Sequence, residues 1–242
     1  MDTRSIPRRL YVLIPLLGAP AWGGNTIPAS IETGRPVLSA VVALDRYFAI
    51  APGAATWTTE TIEIDASLPK LAEHGRLTAI RSLLPFGRPE YHVLATEGDR
   101  TVRQQVIARY LSSEADSANL APSSVAITPA NYRFQYVASV SGDGARAYVF
   151  EITPRKKRPG LIKGQLWIDA ATGLVVRLTG SLVRTPSIFV RRVNVTRDTL
   201  LRDGVAYAKK TRLEIDTRLV GRADLTITER PYSPDSHDGG TR

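Results

Sequence analysis

Six carboxylates, Glu63, Asp65, Glu151, Asp169, Glu214 and Asp216, are the acidic residues whose convergence could supply a general acid and a general base. Each falls in the polar phase of a stretch that alternates apolar and polar residues, where a carboxylate simply solvates the outer face of a half-exposed sheet. His74, His92 and His237 are the whole histidine complement, so a multi-His metal centre would need nearly all of them. His92 lies in a strand pattern, and no Ser or carboxylate spacing completes a triad around it. The chain has no Cys, which excludes disulfides, Cys-ligated zinc, iron–sulfur clusters, a Cys nucleophile and a lipid-modified Cys. Phosphate-loop, dinucleotide, nucleophile-elbow and H-E-x-x-H motifs are all missing. The expectation is no catalytic residue, no metal, no cofactor and no enzyme activity, with a hydrolase using a carboxylate pair as the enzymatic rival.

The densest positive cluster is Arg155-Lys156-Lys157-Arg158. As a hairpin tip it is solvated and discourages edge-to-edge aggregation. As a site it would contact an anionic membrane surface or an acidic envelope partner. No aromatic residue interleaves with it, so it lacks the pattern of a nucleic-acid site.

The chain has 242 residues, with 32 Lys plus Arg against 23 Asp plus Glu, a formal charge of +9. A hydrophobic share of 43% is that of a globular protein. Met1–Arg9 is basic, Leu10–Leu17 is a short apolar run broken by Pro15, and the small residues around Ala19-Pro20-Ala21 suit cleavage. Together they read as an export signal over 1–23, too short for a membrane span, which places the mature chain in the periplasm. A polar linker (24–36), one domain (37–230) and a disordered polar tail (231–242) are expected to follow.

Val37–Phe48 has helical spacing, with apolar residues 37, 38, 41, 42, 44 and 48 assigned to one face and Pro52-Gly53 ending the helix. Thr101–Ser112 is a second helix with the stripe Val102, Val106, Ile107, Tyr110 and Leu111, followed by a loop at 113–124. Strands are expected near 57–66, 77–84 and 91–96, with turns at His74-Gly75 and 85–89. Nearly everything from Tyr132 to 230 is strand and hairpin. About ten strands and two helices give a mainly β (α+β) fold, a large curved antiparallel sheet, or half-barrel, closed by the helices.

Several strands put a full apolar set on one face: Tyr132, Phe134 and Tyr136; Tyr148, Phe150 and Ile152; Val176, Leu178 and Leu182; Leu213 and Ile215; Leu225 and Ile227. This face is either an ordinary core or the lining of an apolar cavity for an acyl chain.

The order of the elements, and above all the block YVFEITPRKKRPGLIKGQLWIDAATGLVVRLTG (Tyr148–Gly180), resembles the Lol-type lipoprotein-carrier and lipoprotein-sorting proteins (LolA/LolB-like). The resemblance lies in a strand, a proline-flanked basic loop, a second strand, Trp167-Ile168-Asp169, Thr172-Gly173 and a third strand. It implies a half-barrel that shelters lipid or the acyl chains of a lipoprotein in outer-membrane sorting, with no enzyme activity. The lack of Cys departs from the lipid-anchored receptor branch and fits the soluble carrier branch. A protein-interaction or stress-sensing module on the same scaffold, with a filled core, remains the alternative.

Overall fold

Strict alternation decides most of the sheet. In Thr59–Leu68 every second residue from Glu60 to Leu68 is buried, as it must be for a strand with one face on a core. The computed structural model describes residues 30–33, 38–50, 58–82, 89–142, 145–218 and 221–233. The expected export signal, most of the linker, Pro52-Gly53 and the tail beyond Ser233 lie outside them.

Among the described residues eleven strands form one sheet: β1 (Ser30–Thr33), β2 (Thr59–Leu68), β3 (Glu73–Ser82), β4 (Glu90–Gly98), β5 (Tyr132–Gly142), β6 (Ala145–Pro154), β7 (Ile162–Asp169), β8 (Val175–Leu182), β9 (Val190–Arg202), β10 (Val205–Thr217) and β11 (Arg222–Pro231). Their order is β1-β5-β6-β7-β8-β9-β10-β11-β2-β3-β4, and every pairing is antiparallel. β1 and β4 do not pair, so the sheet is open. Register shifts in the β3–β4, β5–β6, β7–β8 and β9–β10 pairs are the bulges that bend such a sheet. The expected curved sheet with helices on one face is the fold observed.

Three local expectations are corrected. The turn placed at His74-Gly75 lies instead at Pro69–Leu71, a single 3-10 turn started by proline and ended by left-handed Ala72 (φ 53°). His74 belongs to β3, opposite Ser67. The segment read as a linker contains β1, which pairs with Thr33 opposite Ala138. The stretch read as a loop from 113 continues as helix: α2 (Arg100–Val102), a π-helical turn (Arg103–Ile107) and α3 (Ala108–Ser117) run without a break, and the short α4 (Pro122–Val125) follows.

α1 (Leu38–Ala49) also faces differently. Its buried residues are Ala40, Ala43 and Tyr47, while Leu38 is 81% exposed and Val41 and Val42 point outward. The helix is apolar on both sides, and its two alanines allow close approach to the sheet. Ser39 accepts a hydrogen bond from Tyr148 at 2.7 Å, and Tyr47 donates to the carbonyl of Ile127 at 2.8 Å.

Two cores lie on the same side of the sheet. One packs α1 over Tyr132, Tyr148, Phe150, Ile152, Leu166, Ile168 and Leu178. The other packs Val102, Val106 and Ile107 over Ile62, Ile64, Leu77, Ala79, Leu225 and Ile227. A single face carries both, because the pairs Phe150↔Leu166, Leu166↔Leu178, Leu178↔Arg197, Arg197↔Thr211, Thr211↔Ile227 and Ile227↔Ile64 link them in unbroken register.

Candidate functional site

All thirteen apolar residues expected to share a face do share it, by register and alternation. Their environments differ. Tyr132, Tyr148, Phe150, Ile152, Val176, Leu178, Leu225 and Ile227 are buried, whereas Phe134, Tyr136, Leu182, Leu213 and Ile215 are half-buried. Phe134 meets Phe48 of α1 edge-on with centroids 5.2 Å apart, and Tyr136 meets Phe150 likewise at 5.9 Å. Under α1 the face is therefore an aromatic core.

Between the two cores the inner face changes. Val176, Val193 and Val195 are buried yet belong to neither cluster. Around Val193 and Val195 lie Gly180, Leu182, Leu213 and Ile215, the last two also packed against the core under the 100–117 helix. Gly164 and Gly180 face each other across β7 and β8, and a Cβ at Gly164 would stand 1.9 Å from the carbonyl oxygen of Thr179. The backbones approach too closely for any side chain there, which leaves a notch in the apolar floor.

This apolar strip is polarised along the strands. The end of the sheet made by the 155–161, 183–189 and 69–72 connections, called the lower end, is flanked by Leu182, Val193, Ile215 and Ala223. Toward the upper end, made by the 170–174 and Asp203-Gly204 turns, the same face turns polar through Arg197, Thr211, Lys209, Glu229, Glu60 and Arg81. Arg197 donates to the Thr211 hydroxyl at 3.1 Å.

At the upper end Arg81, itself 5% exposed, is surrounded by carboxylates. Its Nε donates to Glu60 Oε1 at 2.6 Å, Nη1 donates to Glu114 and Nη2 to Glu229. Tyr91 donates to the other oxygen of Glu114 at 2.6 Å. Glu114 is on α3, which has no fully buried residue, so this network is a main tie between that helix and the sheet. Burial pushes the Glu60 carboxyl above its ordinary value despite Arg81. Burial pulls the Arg81 guanidinium down, but Glu114, Glu229 and Glu60 more than compensate and hold it well above its usual range. Burial lowers Lys209 against the opposing pull of Glu229 and Glu60. Burial, then Glu114, raises both Tyr91 and Tyr110.

The carboxylates singled out by sequence lie elsewhere. Glu63, Asp65, Glu214 and Asp216 occupy the outer face, with Asp65 bound to Arg76 at 2.6 Å and Glu214 to Arg222 at 2.9 Å. Glu151 is exposed. Asp169 shapes a turn, accepting from the Thr172 amide and hydroxyl at 2.7 Å each. The acids that do converge, Glu60, Glu114 and Glu229, were missed. Two of them carried a signal: Glu60 shares a phase with Ile62 and Ile64, and Glu229 with Leu225 and Ile227. Among the described residues no group of three or more His, Asp or Glu is placed to hold a metal ion.

The basic cluster is divided. Arg155 donates to the carbonyls of Pro129 and Tyr132 at 2.8 and 3.2 Å, and Arg158 donates to the side chain of buried Asn131 at 2.7 Å. These two arginines pin the segment that enters β5. Lys156 and Lys157 are exposed at the lower end.

No family model matches the chain, and no curated protein does. Among solved structures, MucB is similar over 80% of this chain and 93% of its own, at 14% identity and a TM-score of 0.27. A LolA superfamily protein from Nitrosomonas europaea is similar over 82% of this chain and 96% of its own, at 13% identity and a TM-score of 0.35. The assignment as an open antiparallel half-barrel with helices on one face rests on the strand register and not on these likenesses.

Proposed function

We propose that the chain is an exported, periplasmic binding protein that shelters a hydrophobic ligand, a lipid or the acyl chain of a lipoprotein, and catalyses no reaction. One observation supports the reading above the others. The inner face of β8, β9 and β10 is apolar from Gly180, Val195 and Leu213 to Leu182, Val193 and Ile215, yet the cores are two, leaving a strip flanked by the half-buried Leu182, Leu213 and Ile215. An acyl chain laid along that strip gains roughly 0.8 kcal/mol per methylene removed from water, so affinity needs no catalytic or polar group. The polar upper end limits how far the chain enters, and the head group stays at the basic lower end. α1 and the 100–117 helix act as covers that part to exchange ligand with a membrane or an envelope partner.

Native mass spectrometry of the protein from an envelope fraction, followed by organic extraction, tests this. Co-purifying phospholipid or acylated peptide is expected, and an apo mass that also resists fatty-acid probes refutes it. Phe150 and Leu178 sit in the aromatic core, so charging them tests folding. Leu213→Gln, at a half-buried position, is the variant expected to lower fatty-acid uptake about tenfold while the fold survives.

A second reading has its own observation. Leu38, Val41 and Val42 on the outer side of α1 are 81%, 44% and 40% exposed. An interaction module would bury that stripe against a protein partner and carry no lipid.

A further inference from the structure

The connection between β8 and β9 presents two large apolar side chains to solvent. Ile188 is 80% exposed and its neighbour Phe189 51%. They are held out on a fixed turn: the Phe189 amide donates to the Ser187 hydroxyl at 3.2 Å, and the Phe189 carbonyl accepts from the Arg218 amide at 2.9 Å. Ordering two such residues in water is costly unless something else removes them from it.

Their surroundings are basic. Arg184, Arg191, Arg192 and Arg218 are exposed around the turn, and the segments 155–163 and 183–192 contain no Asp or Glu. Antiparallel order puts the 155–161 connection, with exposed Lys156 and Lys157, at the same lower end. Asp216 stands opposite Arg192 on the outer face, and Glu73 and Asp99 of this end lie beside β3 and β4, which leaves Arg184, Arg191, Arg218, Lys156 and Lys157 as the positive rim of the turn.

We propose that this end docks on an anionic lipid bilayer, with Ile188 and Phe189 entering the interface and the surrounding arginines meeting the head groups. An apolar tip alone would suit a neutral surface or a protein groove, and a basic rim alone would suit any polyanion. The two together match a membrane interface, where apolar insertion and head-group attraction add. The proposal does not rest on a ligand lying between the two cores.

The lack of Cys makes the test direct. Ile188→Cys in the full chain is labelled with an environment-sensitive fluorophore and mixed with vesicles of phosphatidylcholine, with or without about a third phosphatidylglycerol. Val205→Cys is the control, an apolar residue 66% exposed at the upper end. A blue shift at 188 and none at 205, only with the anionic vesicles, is expected. In cosedimentation, Ile188→Ser with Phe189→Ser should cost at least about tenfold in apparent affinity. Arg184→Ser with Arg191→Ser and Arg218→Ser should cost on the order of a hundredfold, about fivefold per arginine, and the wild-type affinity should fall with salt. Equal shifts at both sites, or equal sedimentation with neutral vesicles, overturn the proposal. Absence of sedimentation with either vesicle also overturns it, and assigns the rim to an acidic protein surface.

Discussion

Arg81→Met is the sharpest test of how the upper end is held. The substitution keeps an apolar stem of similar reach and removes the guanidinium with its charge. Glu60 and Glu229, with side chains 2% and 11% exposed, are then left beside each other without their shared cation. Three charge-assisted hydrogen bonds at about 1.5–3 kcal/mol each set an upper bound. Glu114 is 23% exposed and recovers part of its loss in water. The expected cost at neutral pH is therefore about 3–5 kcal/mol, the range for breaking a buried ion pair, or about 10 °C in Tm for a domain of this size. The cost depends on pH with a definite sign. Arg81 holds the Glu60 carboxyl down against burial, so removing it raises the folded-state pKa further above the unfolded value near ~4.3. A group raised in this way contributes stability below its unfolded pKa and loses it as pH rises through the folded one. The deficit of the variant should thus be largest at neutral pH and shrink toward pH ~5. Urea denaturation of both proteins at the two pH values measures it. A deficit under about 1 kcal/mol at neutral pH, or one that does not shrink on acidification, refutes the reasoning.

Glu60→Gln carries the neutral form at every pH, so its stability relative to wild type should rise between pH ~4 and ~7; a flat or falling difference in thermal melts across that range would mean that burial is not the dominant influence on Glu60. Gly173 has φ 77°, and a Cβ there would lie 2.7 Å from Cβ of Arg46 on α1. Gly173→Ala should cost about 1–3 kcal/mol through backbone strain and displacement of α1, read as a lower Tm; an unchanged Tm would mean that α1 does not press on the turn.

Alternation carried the sheet. A period of two assigns every second residue to one face, which is why residues from Tyr132 to Ile227 were brought together without any knowledge of strand order. The same rule was available for Glu60, Arg81 and Glu229, which interrupt apolar phases, and a charged residue in such a phase marks a buried network. Glu114 had no such mark, because its segment lacks an apolar stripe long enough to read as helix. α1 could not be oriented from sequence, since residues on both of its sides are apolar and only the small size of Ala40 and Ala43 selects the inner one. Ser30–Thr33 is too short and mixed to announce a strand. The pairing of β11 with β2 has no local signal at all, because it depends on which sheet edges remain free after the hairpins have formed.

That pairing sets an order of events for the folding chain. β2, β3 and β4 form one meander and β5 to β11 another, and Asp224↔Ser67 through Pro231↔Glu60 joins them. Each meander consists of neighbours in sequence and can collapse quickly, whereas the join closes a loop spanning most of the chain and must await the final strand. Until β11 is in place the edges of β2 and β10 are both bare, and a chain stalled at that stage presents two templates for pairing with other copies of itself. β11 is thus the element whose loss should turn a folding protein into an aggregating one.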